Sequence, residues 1–181
     1  MEDHFIEGCK KRDRKSFEML YNKYAPTLLG VCYRYSKSRA EAEDVLHEGF
    51  IKIYKNIHKF EGKGSFEGWL KRIMVNTSIN NYKASIKHYF HEDIDDKVIA
   101  NEEAEEPIIL GDGIDKEKLL GLIKDLPNGY QLVFNMYVLD GMSHKDIAKE
   151  LNISTNTSKT QLFKARRTLR DKLSKLLKNP V

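Results

Sequence analysis

The stretch ISTNTSKTQLFKARRTL, residues 153–169, begins with hydroxyls and amides and then turns basic and leucine-containing. A helix that opens this way can face a nucleic acid with its first turn. Thr155, Asn156, Thr157 and Lys159 are able to bond base edges or phosphates there, while Leu162, Ala165 and Leu169 pack inward. An ordinary exposed amphipathic helix would show the same pattern, and the preceding residues favour the first reading. SHKDIAKELNIS (143–154) predicts a short helix from Ser143, whose Ser-x-x-Asp spacing to Asp146 is a capping box, with Ile147, Ala148 and Leu151 as its apolar face. Asn152, Ile153 and Ser154 form a break, and Ser154 can cap the next helix by accepting a backbone N–H bond. Helix, tight turn, helix results. Such a unit presents its second element to the major groove, N-terminal residues first. The later Lys164, Arg166, Arg167 and Arg170 then fall near phosphates or complement the helix C-terminus.

Length and composition bound what surrounds this unit. A chain of 181 residues makes one medium domain or two small ones. Four prolines, few strand-like alternations and abundant Leu, Ile, Lys and Glu predict an all-α fold. Nothing approaches a membrane span, and MEDHFIEGCKKRDRKSF at the N-terminus has no apolar signal region, so no membrane insertion and a cytoplasmic location are expected. Cys9 and Cys32 fit no disulfide framework or zinc spacing. They read as reduced thiols, Cys32 within a core, and no metal or other cofactor is expected.

Charge is informative by segment. Residues 1–91 hold 17 basic against 11 acidic residues, residues 92–115 hold 1 against 10, and residues 116–181 hold 13 against 6. Two basic blocks therefore flank an acidic one. The middle run EDIDDKVIANEEAEEPIILGDGID has a proline, two glycines and little amphipathic period, and reads as a linker between two small helical domains. Basic domains suit a polyanionic partner. An acidic connector is repelled by DNA and suits a positively charged protein channel.

Within the first block, Phe17, Leu20, Tyr21, Tyr24, Leu28, Val31, Cys32 and Tyr35 recur at steps of three and four, as one buried face of a helix interrupted or bent near Pro26. Ser38 and Glu41 then make a capping box for a helix whose inner face is Ala42, Val45, Leu46, Ile53 and Ile57. Asp44, His47, Glu48 and Lys52 lie off that face, on a polar surface suited to water or to a partner helix. The segment HKFEGKGSFEGWLKRIMVNTSINNYK (58–83) has a glycine-bearing basic loop at residues 60–65, then a helix with Trp69, Leu70, Ile73 and Met74 inside. Asn76, Asn80 and Asn81 are middling helix formers that can hydrogen-bond bases. A loop with room beside aromatics can receive an unstacked base, with Phe60, Gly62, Lys63 and Ser65 around it. The plainer reading makes Phe60, Phe66 and Trp69 simply core.

EDVLHEGFIKIYKNI, FEGKGSFEGWLKRIMVN and LPNGYQLVFNMYVLDGMSHKDIAKELNISTNTSKTQLFKARRTL, in that order, resemble conserved regions two and four of bacterial sigma factors of the extracytoplasmic function (ECF) group. The resemblance implies an all-helical two-domain initiation factor that binds core RNA polymerase and promoter DNA and helps to open the promoter. It implies that Asp44, His47, Glu48 and Phe50 lie on the helix that docks the polymerase. The 60–65 loop, Asn76 and Asn80 fall where the minus-ten strand is read, and the helix from Thr155 to Arg170, with Lys159 and Arg166, matches the reader of the minus-thirty-five duplex. The linker matches a segment threaded through the polymerase. An anti-sigma factor is the further partner implied.

The chain departs from that family at three positions. Members usually carry Gln at His47, and Asn156 and Ser158 replace the Gly and Val of a common Ser-x-Gly-Thr-Val start. Loss of the apolar group at Ser158 predicts a less firmly packed or reoriented helix. A stand-alone helix-turn-helix regulator, with residues 1–91 as a sensor or dimerisation domain, is the alternative from another class; it would bind duplex DNA unaided. A metal-dependent nuclease built on HYFHEDIDD, with His88, His91, Glu92, Asp93, Asp95 and Asp96, is a third, but ligands bunched on one strand lack a converging scaffold.

Overall fold

The computed structural model describes residues 2–85 and 115–178. Every regular element among the described residues is helical, and the chain divides between Ser85 and Ile86 into two compact units. The nuclease-like cluster and nearly all of the acidic segment lie outside the described residues. No described helix is long and apolar enough to cross a membrane.

In the first unit, α1 (Glu2–Lys10), α2 (Arg14–Tyr33), α3 (Arg39–Asn56) and α4 (Phe66–Ser85) pack mutually, and a single 3-10 turn (Ile57–Lys59) follows α3. Pro26 does not interrupt α2, which runs unbroken from its Asp13 cap, where the carboxylate accepts the Ser16 N–H at 2.8 Å. Leu20, Tyr24, Leu28, Val31, Cys32 and Tyr35 are buried as their period requires. Tyr21 is exposed instead, at 37%. Ser38 caps α3 by accepting the Glu41 N–H, and the Glu41 carboxylate returns a bond to the Lys37 N–H at 2.7 Å. The return bond therefore reaches one residue further out than in a standard capping box. The expected inner face of α3 is entirely buried. Gly49 permits α3 to approach α4 closely, because a Cβ there would run into the Met74 thioether. Burial pushes both the Cys9 and Cys32 thiols up to about 11, so both stay protonated and inert, as reduced buried cysteines.

The described part of the second unit begins with Asp115, whose carboxylate accepts the Glu117 N–H and so caps α5 (Lys116–Lys124). Next come α6 (Asn128–Phe134), α7 (His144–Leu151) and α8 (Thr155–Lys178). A π turn (Asn135–Leu139) continues α6, with the Asp140 N–H reaching the Asn135 carbonyl five residues back. Leu132, Met136, Ile147, Leu151, Leu162, Ala165, Leu169 and Leu173 form the core. The α8 helix outruns its expected end at Arg170 by about two turns, because Leu173 continues its buried stripe. Lys172 ties it to α5 by donating to the Asp125 carbonyl at 3.0 Å.

Candidate nucleic-acid interface

The helix-turn-helix of the second unit is set by short-range bonds. The Ser143 hydroxyl accepts the Asp146 N–H and donates to its carboxylate at 2.6 Å, which starts α7. Asn152, left-handed at φ 56°, ends it, with the Ile153 N–H on the Ala148 carbonyl at 3.0 Å. Ser154 then accepts the Thr157 N–H at 2.9 Å and starts α8. Between these caps the turn leaves Thr155, Asn156 and Lys159 exposed, Thr157 half-buried beside the Ser154 hydroxyl, and Lys164 and Arg166 half-buried further along. Arg167 and Arg170 are exposed. One polar, basic flank of α8 is therefore open, while Leu162, Ala165 and Leu169 face the core as expected.

Ser158 does not leave the expected defect. It is fully buried, and its hydroxyl lies 2.9 Å from His144 Nδ1 at the start of α7. A hydrogen bond across the two helices takes the place of apolar packing.

In the first unit the 60–65 loop borders a cavity of about 270 Å³ lined by Ile6, Phe60, Gly62, Gly64, Ser65, Phe66 and Glu67. Gly62 and Gly64 hold the left-handed backbone there, at φ 76° and 88°. Lys63 and Ser65 are exposed, and Lys63 pairs with Glu61 at 2.7 Å. Phe60 is a correction to the picture of a ring offered by the loop. It is buried at 8%, with ring centroids 5.0 Å from Phe66 and 5.6 Å from Trp69, and so forms the cavity floor. Trp69 and Ile73 are half-buried rather than fully inside.

Asn76 and Asn80 are exposed on α4 and line an open groove of about 300 Å³ with Lys52, Asn56, Ile73 and Thr77. Asn81 is accounted for inside the fold, because its amide donates to Glu48 at 2.7 Å and to the Thr77 carbonyl at 3.3 Å. Lys52, Asn56 and Ile6 had no signal in the sequence as members of these surfaces, since Lys52 and Asn56 join the groove from α3 and Ile6 joins the loop cavity from α1.

Along α3, Asp44, His47 and Glu48 are exposed. Glu48 is not a free surface charge. Lys52 lies 2.7 Å away and Asn81 bonds the other oxygen, and these partners hold its carboxyl below the usual carboxylate range. Phe50 turns inward at 8% exposure, its ring 4.6 Å from that of Tyr21, so it supports this surface from behind.

The family model for sigma-70 region 2 matches residues 20–85, and that for sigma-70 region 4 matches residues 116–169. The first match covers α2 from Leu20 through α4, the second α5 through most of α8. The chain belongs to the sigma-70 family, as an ECF RNA polymerase sigma factor. It is 29% identical over 180 residues to the ECF RNA polymerase sigma-E factor of Haemophilus influenzae, covering 95% of each chain. It is 27% identical over 186 residues to the RNA polymerase sigma-H factor of Pseudomonas aeruginosa, covering 98% of this chain and 96% of that one. Its fold is similar to that of CnrH in complex with the cytosolic domain of CnrY, with TM-score 0.51, 16% identity, and 94% and 95% of the two chains covered. The sigma factor RpoE of Bartonella quintana, solved with the anti-sigma factor NepR, gives TM-score 0.52 at 20% identity over 88% and 98% of the chains. This sigma factor is thus a transcription initiation factor that directs RNA polymerase to promoters, and it is not an enzyme. Both units match one family in order, which sets aside a stand-alone regulator with an unrelated sensor domain.

Proposed function

We propose that three surfaces of the factor divide the work of initiation. Asp44, His47 and Glu48 on α3, backed by Phe50, meet core polymerase. The 60–65 loop, through Gly62, Lys63 and Ser65 over a floor of Phe60, takes the melted minus-ten strand together with Asn76 and Asn80. Thr155, Asn156, Thr157, Lys159, Lys164 and Arg166 on α8 bind the minus-thirty-five duplex. The observation that carries this reading is the open polar start of α8, whose helix-turn-helix is set by the caps at Ser143 and Ser154 and whose Ser158 bonds His144 of α7. Residues 92–115 serve as an acidic linker between domains at residues 1–91 and 116–181 and pass through a basic polymerase channel, which their charge suits. The factor works in the cytoplasm and is held in check by an anti-sigma protein, as the sigma factor RpoE of Bartonella quintana was co-crystallised with the anti-sigma factor NepR.

Lys159→Ala and Arg166→Ala are expected to weaken use of the upstream element by roughly 1–3 kcal/mol each where a base is read. Where a phosphate alone is touched, each lowers the salt dependence of binding by about one unit of slope. Transcription of a natural promoter across a salt series separates the two. Wild-type behaviour by both variants throughout removes α8 as the reader.

For the polymerase surface, Asp44→Lys is the clean probe. It should weaken association with core by roughly 1 kcal/mol, about fivefold, with the unfolding midpoint unchanged. Glu48→Lys should weaken both association and the fold, because reversal also turns its bonds to Lys52 and Asn81 into repulsion or loss. Undiminished capture of core by folded Asp44→Lys protein counts against the assignment.

A further inference from the structure

Beside the open flank of α8 lies a chain of contacts that the roles above do not use. The His144 imidazole stacks on the ring of Tyr137, with centroids 4.4 Å apart and planes 23° from parallel. Its Nδ1 is held at 2.9 Å by the fully buried Ser158 hydroxyl. The Arg166 guanidinium carbon lies over the same Tyr137 ring, 5.9 Å from its centroid. Three elements meet here: the π turn supplies Tyr137, α7 supplies His144 as its first residue, and α8 supplies Ser158 and Arg166.

We infer that Tyr137 and His144 are positioning residues for duplex recognition, forming an aromatic platform that presents the Arg166 guanidinium to DNA. This rests on the proposal that α8 reads the minus-thirty-five element. An arginine side chain carries a large rotamer entropy, and whatever part is lost before DNA arrives is not lost on binding. The face of a tyrosine ring attracts a guanidinium through its quadrupole, but a ring free to swing would hold it poorly. Stacking against His144 restrains Tyr137, and Ser158 restrains His144 in turn. Ser158 thereby gains a purpose. A valine at that position offers no group to Nδ1, so the platform depends on the departure that distinguishes this chain from the common family pattern. The π turn contributes as well, since it shifts the register of the residues beyond Phe134 away from that of a plain α-helix, Tyr137 among them.

The test uses the full chain bound to core polymerase, with closed-complex affinity measured on a natural promoter, on single-base variants of its upstream element, and across salt. Tyr137→Leu should weaken binding about two- to fivefold. Its profile over base variants should match that of Arg166→Ala, the loss falling at the same bases of the upstream element, with the salt slope near that of wild type because the arginine charge stays. Tyr137→Phe keeps the ring and should bind like wild type. Adding Tyr137→Leu to Arg166→Ala should cost nothing further, because the platform acts only through the arginine. Ser158→Ala frees the imidazole without touching Tyr137 or Arg166, and should reproduce a smaller part of the same profile. Additive loss in the double variant, or a profile unlike that of Arg166→Ala, overturns the inference while leaving α8 as the reader. An Arg166→Ala protein that binds like wild type throughout overturns both.

Discussion

Replacing Gly62 and Gly64 together by valine is expected to lower open-complex formation roughly 5- to 150-fold, the equivalent of one lost base contact at ~1–3 kcal/mol, while closed binding changes little. Both glycines hold positive φ, and a Cβ at either would meet no atom within 4 Å. The effect is therefore one of backbone alone. An L-residue in the left-handed region costs about 1–2 kcal/mol, more readily escaped by a β-branched side chain that refolds the loop. The cavity beside it would lose its wall, and a melted base would lose its seat. Asn76→Ala should lower opening as well with the loop intact, since Asn76 is exposed on α4 and supplies hydrogen bonds alone. Phe60 is unsuitable as a probe, because truncating a ring packed between Phe66 and Trp69 would loosen the unit. Permanganate reactivity of melted thymines beside filter binding gives opening and closed binding from one preparation. A premelted bubble should rescue the part of the defect that lies in opening. Equal melting by the valine variant and wild type would end the idea that this loop holds a base.

Leu162→Ala should unfold the second unit at or near room temperature. A core this small supplies about 3–5 kcal/mol in total, and removing a fully buried leucine costs about 2–5 kcal/mol. The single tryptophan makes the result readable, because Trp69 belongs to the first unit, stacked on Phe66. Far-UV circular dichroism should lose helix content while the urea transition of tryptophan fluorescence stays where it was. Transcription that depends on the upstream element should fall to background. Wild-type helicity and activity would mean that α8 is not seated by Leu162.

The elements that were legible in advance share one property. Ser38, Ser143 and Ser154 cap their helices through bonds to residues three positions on, and Asn152 ends α7 through its own backbone angle. The apolar stripes of α2, α3 and α8 are likewise periodic within one helix. Helix α1, helices α5 and α6 and the π turn were not foreseen. Each of α1, α5 and α6 is under ten residues long, giving periodicity few repeats to reveal, and the π turn breaks the period itself.

By itself, then, the sequence determined an all-helical chain with a capped helix-turn-helix near its end, because those features rest on interactions within about one helical turn. Tertiary structure alone decided which polar groups stay open to a partner. Glu48 and Asn81, 33 residues apart, satisfy each other, and Ser158 meets a histidine 14 residues earlier. Phe60 and Phe50 turn inward against rings from other helices. A stripe on a helix says that a face will be covered, but what covers it depends on which distant segment the packing brings alongside, and that is settled by the fit of whole helices against one another.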